Sequence, residues 1–128
     1  MMLLDTCVLL WLAADTTAIS ARAKDLIRNT PEGLFVSAIS AFEVGQKAAA
    51  GKLSLPRSVD AWFDAMVQWH GLHELPVSGV IAARANLLPA IHRDPFDRLL
   101  IATAQEHRLE ILTPDTTIAK YPGLDTLW

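Results

Sequence analysis

Short apolar runs separated by longer stretches of helical periodicity constrain this chain more than any other feature of its sequence. The runs Met1 to Leu4, Leu34 to Ser37, Leu72 to Val77, Glu110 to Thr113 and Leu124 to Trp128 read as strands, most of them continuous rather than alternating. A strand that is apolar on both sides of its pleat is covered on both faces. Helix signals lie between the runs: Ser20 opens one helix, Ser58 opens another that closes before Gly71, and Asp94-Pro95 opens a third. One more helix follows the Leu34 to Ser37 run. Strands alternating with helices predict an α/β fold, a mostly parallel sheet with helices on both sides. At 128 residues, with no repeat or linker, residues 1–128 are expected to form a single domain around one sizeable core.

In an open parallel sheet, ligands bind beyond the carboxyl ends of the strands, so polar residues just after apolar runs matter most. Asp5 directly follows Leu3-Leu4, and Asp115 follows Ile111-Leu112-Thr113-Pro114. Glu43 is expected on the first turn of the helix after Leu34 to Ser37, and Asp97 lies three residues into the helix opened by Asp94. All four acids then reach one edge of the sheet. Carboxylates brought that close raise one another's pKa and destabilise the fold near neutrality unless a cation intervenes. An all-oxygen donor set with open positions suits Mg²⁺ or Mn²⁺ rather than zinc. Such a centre can activate a water and stabilise the attacking and leaving oxygens of a phosphodiester, which is metal-assisted hydrolysis.

Each acid also has a purely structural account. Ser40 followed by Glu43 fits a capping box, Asp94 fits an N-cap before Pro95, Asp97 favours the helix dipole, and Asp115 fits a turn or short-helix cap. Their joint placement on one edge favours chemistry. Composition sets weaker bounds. A hydrophobic fraction of 52% with 20% charged residues excludes disorder. The formal charge of −3 argues against a broad basic nucleic-acid surface, but setting the four site acids aside leaves ten acids against eleven Lys and Arg. Nucleic acid therefore stays within reach. Val8 to Ala14 is too short to span a bilayer and has no basic segment before it, which predicts a cytoplasmic protein without a membrane association. The lone Cys7 fits a reducing compartment and reads as a small apolar filler.

Four segments, Leu3-Leu4-Asp5-Thr6, Ser37-Ala38-Ile39-Ser40-Ala41-Phe42-Glu43-Val44, Asp94-Pro95-Phe96-Asp97-Arg98-Leu99-Leu100-Ile101-Ala102 and Leu112-Thr113-Pro114-Asp115, resemble VapC-type PIN-domain toxins in order and spacing. The resemblance spans essentially the whole chain, and the DPFDRLLIA segment is its most specific part. It implies a three-layer α/β/α sandwich, a Mg²⁺- or Mn²⁺-dependent endoribonuclease acting on RNA, a homodimer, and a cognate antitoxin of a type II toxin–antitoxin system. It carries the metal-ligand and catalytic role onto Asp5, Glu43, Asp97 and Asp115, with Asp94 in support. Thr6, Ser40 and Thr113 match family positions as well, and their hydroxyls could orient carboxylates. Lys47 and Arg98 are candidates for phosphate contacts, or for a solvated lysine and an ion-paired arginine. Cys7 departs from the pattern, since many such toxins carry His there.

The remaining features divide between readings. Val59, Trp62, Phe63, Met66, Val67 and Trp69 make the Ser58 to His70 helix more apolar than one core face needs, so it is either deeply buried or meets a second chain. His70, His73, His92 and His107 form no convincing site; His70 and His107 fit helix C-termini, and His92 lies within reach of the cleft. A catalytically silent binding module on the same fold is the main alternative to a ribonuclease. A phosphoaspartyl enzyme of the haloacid-dehalogenase type needs a second Asp two positions after Asp5, where this chain has Cys7.

Overall fold

The computed structural model describes residues 1–128. Five strands, β1 (Met2–Leu4), β2 (Leu34–Ser37), β3 (His73–Leu75), β4 (Glu110–Leu112) and β5 (Thr126–Leu127), form one sheet in the order β3-β2-β1-β4-β5. Every pairing is parallel. Six helices connect them: α1 (Thr6–Ala14), α2 (Ala21–Asn29), α3 (Ala38–Ala49), α4 (Val59–His70), α5 (Gly79–Leu87) and α6 (Pro95–His107). The expected α/β/α sandwich is what the chain adopts.

The pleat of β1 shows why its sequence is apolar throughout. Met2 and Leu4 pack with Val8, Leu9, Trp62 and Phe63 on one face, while Leu3 packs with Leu100, Ile101 and Ile111 on the other. α1, α2 and α4 thus cover one side and α6 the other, with α5 packed on α6 through Ile81, Ala85 and Ala102. Ser20 and Asp94 cap α2 and α6 as their positions predict, and Gly71 closes α4 in the left-handed conformation.

Three expectations need correction. The outer strands are shorter than their apolar runs, because Leu72 and Leu124 pack onto the core from outside the ladder. α1 and α5 were not among the helices marked by the sequence. α1 is apolar on nearly all sides, and so shows no stripe. The capping box at Ser40 is absent: α3 starts directly after β2, Ser37 is its N-cap through an Oγ that accepts from Ile39 N at 3.1 Å, and Glu43 falls in the second turn. The excess apolar surface of α4 resolves mostly as core, with Trp62, Phe63 and Met66 buried, but Trp69 is 83% exposed.

Candidate metal centre

The chain runs outward from β1 through β2 to β3 and then returns to β4 on the other side, so the order reverses between β1 and β4. This is the crevice in which parallel sheets place their ligands. Asp5 ends β1 and Thr113 follows β4 there, joined by the Asp5 N–H donating to Leu112 O at 3.1 Å and by Thr113 Oγ1 donating to Asp5 Oδ2 at 2.6 Å. Asp5 is the N-cap of α1 in position only; its side chain caps nothing and is left to the cleft. α6 runs antiparallel to the strands, which brings Asp97, in its first turn, to the same edge.

Asp5, Glu43, Asp97 and Asp115 line one open cleft of about 240 Å³, together with Cys7 and Lys47. The four acids named from the sequence therefore share a pocket. Within it, ligand-capable atoms of Asp97, Asp115 and His92 lie within 4.8 Å of one another, and Asp5 and Glu43 line the same cleft. His92 is the residue that sequence reasoning undervalued. Its Nε2 is 2.8 Å from Asp97 Oδ2 and 3.3 Å from Asp115 Oδ2.

The electrostatics are those of an uncompensated cluster. Burial, followed by the charges of Asp5 and Asp94, pushes Asp97 up to about 7. Burial also raises Asp5, against the Thr113 hydrogen bond, and raises Glu43. Burial pushes Asp115 upward too, yet the N–H groups of Thr117 and Ile118 and the His92 side chain outweigh it and hold it below the usual value. Burial, reinforced by Asp5, raises the Cys7 thiol, so this half-buried wall residue is a poor nucleophile.

The supporting residues divide. Thr6 and Ser40 are buried with their hydroxyls 2.9 Å apart, and Thr113 Oγ1 accepts from Asp115 N at 3.0 Å while holding Asp5. Lys47 is 3.9 Å from Glu43 Oε2 and partly exposed. Arg98 pairs with no acid; it donates to the carbonyls of Leu88, Pro89 and His92. Asp94 Oδ1 accepts from Phe96 N at 2.9 Å. Asp94→Ala should therefore lose about 1 kcal/mol in urea denaturation, whereas Asp94→Asn, which keeps the acceptor and removes a charge, should lose nothing.

The PIN domain family matches residues 2–124. This chain belongs to the PIN-domain family. It is 32% identical over 129 aligned positions to Ribonuclease VapC22 of Mycobacterium tuberculosis, covering 98% of this chain and 97% of that protein. Two solved structures share the PIN fold at lower identity. The toxin-antitoxin complex from Klebsiella pneumoniae superposes with a TM-score of 0.67 at 24% identity, covering 100% of this chain and 97% of that one. FitAcB from Neisseria gonorrhoeae gives 0.71 at 20% identity, over 100% and 97%. No helix of this PIN domain is long and apolar enough to cross a membrane.

Proposed function

We propose that this chain is a Mg²⁺- or Mn²⁺-dependent endoribonuclease, the toxin of a type II toxin–antitoxin system acting in the cytoplasm as a homodimer. One observation carries the reading: four carboxylates from four separate segments line one cleft, and among them Glu43 Oε1 is buried with no hydrogen-bond partner. An orphaned buried carboxylate oxygen is destabilising unless a donor or cation meets it. Asp5, Glu43, Asp97 and Asp115 offer only hard oxygen donors, which fits Mg²⁺ or Mn²⁺. When bound, the ion supplies the positive charge that lets water attack a phosphodiester at neutral pH and that offsets charge on the leaving oxygen.

The protein's own contribution is placement. Thr113 fixes Asp5, the Thr117 and Ile118 N–H groups fix Asp115 Oδ1, and the N-cap at Asp94 fixes the first turn that carries Asp97. Exposed Phe42 packs against Phe96 at a tilt of 48° with centroids 5.7 Å apart, next in sequence to Glu43 and Asp97, and offers an aromatic face to an unpaired base. That favours single-stranded or loop RNA. The apolar groove between α1 and α4, lined by Leu12, Trp62, Met66 and the exposed Trp69, suits the apolar face of an antitoxin segment.

The test is cleavage of an end-labelled single-stranded RNA by the purified chain. Internal scission is expected with Mg²⁺ or Mn²⁺ and none in EDTA. Cutting that persists in EDTA would overturn the mechanism; metal binding without scission would instead support the silent binding module.

A further inference from the structure

The loop between α5 and α6, residues 88–94, has no regular structure, yet side chains from outside it hydrogen-bond its backbone repeatedly. Arg98 reaches back from α6, where Nη2 donates to Leu88 O at 3.0 Å and Nη1 donates to Pro89 O at 3.0 Å and to His92 O at 3.2 Å. Tyr121 is 2% exposed; its hydroxyl accepts from His92 N at 2.7 Å and lies 3.4 Å from Arg98 Nη1. A buried aromatic and a charged fork are thus both spent on one short segment. The side chain so fixed is His92.

Its ring nitrogens are distinct. Nδ1 accepts from Asp94 N at 3.2 Å, so the ring hydrogen is carried by Nε2. Nε2 faces Asp97 Oδ2 at 2.8 Å and donates to Asp115 Oδ2 at 3.3 Å. A histidine that ligates a metal does the reverse: it presents a lone pair and gives its other N–H to an acceptor. Here the other nitrogen meets a donor.

We infer that His92 is a positioning residue and not a ligand: its Nε2–H sits between Asp97 Oδ2 and Asp115 Oδ2, and Arg98 and Tyr121 hold it there. The bridge leaves the remaining oxygen of Asp97 outside the imidazole contact and sets the spacing of two carboxylates that would otherwise repel. This rests on the metal-centre reading above, which it deepens by assigning the motif arginine to the loop rather than to a phosphate.

The experiment measures Mn²⁺ binding by titration calorimetry for the wild type, His92→Ala, His92→Gln and Arg98→Lys, with the tautomer of His92 followed by long-range ¹H–¹⁵N correlation in metal-free and Mg²⁺-loaded protein. His92→Ala and Arg98→Lys are expected to weaken Mn²⁺ binding about tenfold to a hundredfold. His92→Gln, whose amide can both accept and donate, should recover most of it. The tautomer should be Nε2-protonated in both states. Unchanged Mn²⁺ affinity in His92→Ala, or an Nδ1-protonated ring, would overturn the assignment. Wild-type protein that binds no Mn²⁺ would overturn the metal-centre reading instead, and the metal-free tautomer would still decide where the ring points.

Discussion

Asp97→Asn is expected to lower RNA cleavage by about a thousandfold while making the metal-free protein more stable above neutral pH. The loss follows from removing one of few anionic donors to the ion, worth several kcal/mol of transition-state stabilisation, with each 1.36 kcal/mol counting tenfold. The gain follows from the same carboxylate's environment. Asp97 is pushed up to about 7 by burial and by Asp5 and Asp94, so above that pH the fold holds it ionised against its surroundings. Asn keeps an oxygen facing His92 and carries no charge. Initial rates with labelled RNA and urea melts in EDTA at pH 8 measure both effects. Near-normal cleavage, or a large drop in stability, would count against the cluster described here.

The second large effect is the pH dependence of stability without metal. Asp5, Glu43 and Asp97 all have folded values above their ordinary ones. A raised acid contributes stability that is fully present below its unfolded value and is lost as pH rises through its folded value. For Asp97 that window runs from the ordinary value of 3.8 to about 7. Asp115 is lowered, so its contribution is lost only on further acidification. From pH 5 to pH 8 the metal-free protein should therefore lose stability, by about 1–2 kcal/mol from Asp97 after discounting for solvent at the open cleft. Mg²⁺ at a hundredfold above its dissociation constant should restore about 2.7 kcal/mol at pH 8. At pH 5 it should restore less, because protons compete. Denaturation curves in EDTA that stay flat or rise over this range would exclude a repelling cluster.

Much of this was legible in the residues. Leu3-Leu4 and Ile111-Leu112 are buried on both sides of the sheet, so their runs are unbroken and their ends point to Asp5 and Asp115. Asp94-Pro95 announces α6 and places Asp97 with it. What escaped the sequence lies where side chains serve irregular backbone. His92 sits in a loop with no period, and its only local signal is an imidazole two residues before a helix cap, close enough to accept that residue's N–H. Arg98 offered an acid or a phosphate as partner on paper, but the carbonyls it meets become available only once the 88–92 loop has folded over it. Ser40 reads as the cap of α3, but Ser37, three residues earlier, takes that place. Ser37 prevails because β2 passes into α3 without a loop, which leaves the hydroxyl of Ser40 for Thr6.

The Thr113 to Asp5 hydrogen bond joins positions 108 residues apart in the chain. Sheet order makes that unavoidable, since β4 must insert beside β1 after β2 and β3 are already in place. A polypeptide still on the ribosome and ending before β4 has Asp5, Glu43 and Asp97 but no wall to hold Asp5 and no Asp115, so it carries no competent cleft. Any chemistry at this cleft is therefore withheld until translation is nearly finished.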